Sequence, residues 1–140
     1  MTKFHLPLAL LLATAACSSG GGDDPAKDGG AAATDADLQV AAACQASMDA
    51  VGKIYSVLST QSEGAEKDKM TEMASARQLV ATAYREKATT IGTQLGKSEA
   101  DVAAAIKAAD DAIQAEFEKR EFADFATWAG SQADGCPPPT

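Results

Sequence analysis

The chain has 140 residues and carries 20 acidic against 12 basic side chains, a formal net charge of −8. That balance argues against a nucleic-acid partner, because phosphate contacts demand a basic patch. One histidine in the whole chain, His5, leaves no material for histidine-ligated zinc or a Glu-x-x-His di-iron site, and no P-loop or dinucleotide glycine fingerprint is present.

Met1 to Ala16 begins with a short basic start (Lys3, with His5 when protonated), continues through an apolar run from Leu6 to Ala13, and ends in small residues before Cys17. This is the layout of an export signal. The run is too short to span a bilayer, which needs roughly 20 apolar residues. Ala15 and Ala16 before Cys17, with Leu11 and Leu12 upstream, resemble the lipobox of a bacterial lipoprotein precursor. Thr14 departs from that pattern, which has Leu, Val or Ile three residues before the cysteine. The resemblance implies cleavage before Cys17, acylation of Cys17 and attachment to the lipid bilayer. Ser18, standing where an Asp would retain the protein in the inner membrane, implies the periplasmic face of the outer membrane. The competing reading is ordinary cleavage after Thr14-Ala15-Ala16, which yields a secreted or soluble periplasmic protein. Either cleavage removes Lys3 and His5, leaving 11 basic against 20 acidic side chains and no histidine. Ser-His-Asp triads and Cys-His dyads are then excluded as well.

Residues 17–34 form the expected tether. From Ser18 to Thr34 there are five glycines, Pro25 and three Asp, with almost no bulky apolar side chain, so burial cannot offset the entropy of ordering. A Gly-rich coil of this length spans about 20 to 25 Å, enough for a folded domain to stand off a membrane surface.

Residues 35–136 are expected to fold as one small antiparallel helical bundle, all-α, followed by a Pro-rich tail at 137–140. The apolar residues recur at helical spacing and the segment is rich in Ala. A first helix is expected from about Asp35 to Ser59, opened by a capping box at Thr34–Asp37, with Ala41, Cys44, Met48, Val51, Tyr55 and Leu58 as its apolar stripe. A second runs from about Ala65 to Leu95 with Met70, Met73, Ala76, Val80, Ala83, Tyr84, Ala88, Ile91 and Leu95 on its apolar side. Thr89, Thr90, Gly92 and Thr93 weaken its end, and Gly96 is placed as its C-terminal cap. Ser98 to Asp101 opens the third, whose stripe is Val102, Ile106, Ala109, Ile113 and Phe117.

No Gly, Pro or cap residue separates Glu118 from Phe122, so local signals favour one long third helix. The cysteines argue otherwise. Of the three, Cys17, Cys44 and Cys136, acylation of the first leaves an even pair for an oxidising compartment. Cys44 lies about nine residues into the first helix, roughly 14 Å from its start. Gly130 to Cys136 spans at most about 25 Å, short of a bundle length of roughly 35 to 40 Å, and a bridge needs Cα atoms within about 7 Å. A break near Lys119 to Glu121, with a fourth helix from about Phe122 to Ala133 running back, brings Cys136 level with Cys44. The expectation is four helices stapled by a Cys44–Cys136 disulfide; intermolecular pairing or two free thiols are the competing readings.

No catalytic residue, metal ligand or cofactor site is legible. Asp110 with Asp111, and Glu116, Glu118 and Glu121, read as a solvated helix face with local pairs such as Glu116 to Arg120; no EF-hand spacing is present. Four of the seven aromatic residues lie between Phe117 and Trp128. They read first as a hydrophobic plug at one end of the bundle. Because Phe122, Phe125 and Trp128 step by three, they drift around the helix and cannot all face one core, which makes them the candidate surface for a protein partner in the envelope. The expected function is a membrane-tethered, non-enzymatic envelope lipoprotein acting as a structural or protein-interaction module. The alternative is a periplasmic binding module for an apolar ligand or unfolded polypeptide, which requires a cavity between the Ala-lined helices.

Overall fold

Two reciprocal capping boxes and one glycine set three of the helix ends. The computed structural model describes residues 32–139; the expected signal at 1–16, Cys17 and the tether through residue 31 lie outside them, as does Thr140. Thr34 accepts a hydrogen bond from the Asp37 backbone N–H, while the Asp37 carboxylate accepts from the Thr34 backbone N–H at 2.8 Å. Helix α1 (Asp35–Gln61) starts there. Ser98 and Asp101 repeat the arrangement at the start of α3 (Glu99–Glu118). Hydrogen bonds from Thr34 and Ser98 hold the Asp37 and Asp101 carboxyls below the ordinary carboxylate range, as expected where acid meets an unsatisfied helix N-terminus.

Helix α2 (Gly64–Gln94) closes in a Schellman motif. Gly96 sits at φ +67°, the Gly96 N–H donates to the Thr93 carbonyl and the Lys97 N–H to the Gly92 carbonyl, which satisfies two orphan acceptors. The turn also carries Lys97 to within 2.7 Å of Asp35, so the start of α1 and the α2–α3 turn meet.

The third helix is broken where the cysteine spacing requires. It stops at Glu118, and α4 (Phe122–Asp134) runs back toward the start of α1. Cys44 and Cys136 are disulfide-bonded with Cα atoms 5.7 Å apart. One local pair and two contacts across the turn hold the break: Arg120 donates to the Glu116 carbonyl and pairs with its carboxylate one turn back, Phe117 meets Phe125 edge to face at 5.0 Å, and the Arg120 guanidinium lies 4.8 Å from the Trp128 ring centre. The Tyr84 hydroxyl donates to the Pro137 carbonyl just beyond the disulfide; burial of the phenol pushes its pKa up.

The core lies in two clusters along α1. One joins Cys44, Met48, Val51 and Ile54 to Tyr84 of α2 and to Phe125 and Ala129 of α4. The other joins Leu38 and Ala41 to Ala88 and Ile91 of α2 and to Val102 of α3. In α2 the buried set is Ala74, Ala81, Tyr84, Ala88, Ile91 and Gly92, whereas Ala76 of the expected stripe is exposed. The true seam passes through Arg77, half-buried with Nη1 3.4 Å from Met48 Sδ. A charged residue in the seam conceals its period. In α3 the expected face is correct but thinly covered: only Val102 is buried, and Phe117 is exposed.

Candidate interaction groove

Small side chains along α1 leave a gap beside α3. Ala46 and Ala50 fill little volume, and an open groove of about 430 Å³ runs over them, walled by Ile54 on one side and by Ile113 and Phe117 on the other. The start of α4 closes one end with Phe122 and Phe125. The opposite end of α3 is drawn close to α2: a methyl group on Gly92 would overlap Val102 Cγ2. The start of α3 is thus held against α2, and farther along its Ile113 packs, half-buried, against the core on α1.

Five large apolar side chains are exposed among the described residues: Val40, Val57, Leu79, Phe117 and Phe122. Three of them, Val57 (43% exposed), Phe117 (43%) and Phe122 (40%), line this one groove. Single exposed apolar residues are ordinary, whereas a contiguous group marks a contact surface.

The other end of the groove is polar. Asp49, Lys53, Asp110 and Asp111 line it. Asp49 pairs with Lys53 at 2.6 Å and Asp111 with Lys107 at 2.6 Å, while Asp110 has no ion pair among the described residues. Partial burial, and then the neighbouring Asp49, push the Asp110 carboxyl above its ordinary range, against the pull of Lys53 and Arg85. The site is therefore amphipathic along its length, acidic at one end and aromatic at the other.

The three aromatic candidates from the sequence diverge. Phe125 belongs to the core at 5% exposure, Trp128 is half-buried beneath Arg120, and Phe122 projects into the groove. Val57, Asp49 and Lys53 carry no motif; they meet Asp110 and Asp111 only because α1 and α3 lie side by side. Among the described residues no three His, Cys, Asp or Glu side chains converge closely enough to hold a metal ion, and no helix there is long and apolar enough to cross a membrane. Comparison with protein-family models, with curated proteins and with solved structures finds no match to this chain.

Proposed function

We propose that this chain is a membrane-tethered envelope lipoprotein, acylated at Cys17, whose helical domain is a non-enzymatic protein-interaction module that engages its partner through the α1–α3 groove. The observation that carries the interaction role is the convergence of Val57, Phe117 and Phe122 on one open groove. The lipobox-like Ala15-Ala16-Cys17 and the Gly-rich segment after it support the tether, and placement on the periplasmic face of the outer membrane follows from Ser18. A groove of about 430 Å³ also falls within the size range of small-ligand sites, which supports binding of an apolar ligand as a second reading.

A photo-crosslinking residue in place of Phe122, compared with one in place of Leu79, which is more exposed but outside the groove, tests the interaction role in living cells. A discrete adduct of protein mass at position 122 alone is expected. Adducts at both positions, at neither, or only with lipid overturn it. Metabolic labelling with a radioactive fatty acid tests the tether: label in the native chain and none in Cys17→Ser is expected, and label persisting in Cys17→Ser overturns the acylation site.

A further inference from the structure

The occupant of the groove can be specified from the spacing of its two ends. Leu38 of α1 and Val102 of α3 share a core cluster, and farther along Asp49 acts on Asp110, so the two helices run in the same direction. Asp49 and Val57 are eight residues apart on α1, and Asp110 and Phe117 are seven apart on α3. At 1.5 Å per residue both walls carry an acid and an exposed apolar group separated by about 10 to 12 Å, close to two helical turns. We propose that the groove receives an amphipathic helix of a partner protein, one that presents a large apolar side chain and a lysine or arginine about seven residues apart on one face. This rests on reading the groove as the interaction face.

Three observations favour that occupant over others. The walls are helices with their backbone groups already paired, so an extended peptide gains none of the main-chain hydrogen bonds that strand addition supplies, whereas a helix docks by side chains alone. Asp110 is an acid without an ion pair, held partly out of water beside Asp49, and a cation delivered by the partner relieves both the burial and the repulsion. A second copy of the cleaved chain brings another 20 acidic against 11 basic side chains, which repels.

The test uses the full chain and two fluorescent Ala-based helical peptides that differ at one position. Both carry a Leu anchor; seven residues on, one has Lys and the other Glu. At about 50 mM salt the Lys peptide is expected to bind at least about tenfold more tightly, with the advantage shrinking at about 500 mM as screening sets in. Asp110→Asn removes most of the Lys preference, and Phe122→Ser weakens both peptides; both positions are exposed, and circular dichroism verifies that each variant folds. Equal affinities, no binding of the Lys peptide, or a Lys preference that survives Asp110→Asn overturns the proposal. Saturation by dodecyltrimethylammonium while neither peptide binds overturns it in favour of a small-ligand site. A protein adduct at position 122 in cells together with no Lys preference here rejects the basic helix and leaves the interaction role standing; absence of that adduct rejects the interaction role itself.

Discussion

Helices α1 and α3 run side by side, and both carry many alanines, yet α1 buries twelve residues and α3 buries one. The difference lies in what each helix is offered. Alanine contributes little area of its own, so an Ala-rich helix becomes buried only where a partner backbone comes close. Gly52 permits this on α1: a methyl group there would meet Gln78 Cγ at 3.3 Å and the Ala74 carbonyl at 3.4 Å. Helix α4, returned by the disulfide, covers a second side of α1. Helix α3 has one such approach, Gly92 against Val102, at its beginning, and past that point the open groove along its side leaves Ile113 half-buried and Phe117 exposed.

The contrast can be broken most strongly at the disulfide. It closes a separation of 92 residues, and in the chain-entropy model removing such a link costs about 4 kcal/mol. Cys44→Ser with Cys136→Ser is expected to lose about that much in urea denaturation; a loss under about 1 kcal/mol would show that Phe125 and Ala129 hold α4 without it. A paired substitution compares the helices directly. Ile54→Ala, in the α1 core, should cost about 3 kcal/mol. Phe117→Ala removes a larger side chain but should cost about 1 kcal/mol, mostly its edge-to-face contact with Phe125. Equal costs would mean that α3 is as well packed as α1.

The single tight point of α3 gives the next test. Gly92→Ala gains helix propensity but drives a methyl into Val102, and overpacking is expected to leave a net loss of about 1 to 2 kcal/mol. Adding Val102→Ala should recover part of it, so the double variant is more stable than the sum of the singles predicts. Additive losses would place the strain elsewhere. On α1 the packing contains a flaw, the buried Gln45, whose Oε1 has no hydrogen-bond partner among the described residues. Gln45→Met keeps the length and the helix propensity while removing the orphan acceptor, and a gain of about 1 kcal/mol is expected in the same denaturation assay.

Helix boundaries were legible because their signals are local. Thr34–Asp37, Ser98–Asp101 and Gly96 each act within four residues, and the structure shows all three. The break before Phe122 has no local signal and came only from the reach required of Cys136. The α2 seam is not legible around Ala76, since alanines at 74, 76, 81 and 83 look alike and Arg77 occupies a seam position. The groove was legible only in its aromatic end. Phe117 and Phe122 were visible as part of an aromatic group, but a gap above Ala46 and Ala50 is an absence of volume between distant segments, which no periodicity encodes.

The smallest expected effect concerns the acid at the polar end of that gap. The Asp110 carboxyl is raised by partial burial and by Asp49, with Asp111 adding to the effect and Lys53 and Arg85 opposing it. A group whose pKa is higher folded than unfolded binds more protons in the folded state between the two values, so stability falls as pH rises through that window. Above it the ionised carboxylate is a standing cost. Because the side chain still reaches water, that cost is screened to a few tenths of a kcal/mol. Asp110→Asn should therefore be slightly more stable than the native chain at neutral pH, and the advantage should vanish as the pH falls below the unfolded carboxylate value near 3.8. Asp37 and Asp101 have the opposite sign, since their lowered values give stability that is lost in acid, but both are common to the two proteins and cancel in the difference. If the difference between the two is flat across pH, Asp110 is fully solvated, and α3 is no closer to α1 at mid-length than at the exposed Phe117.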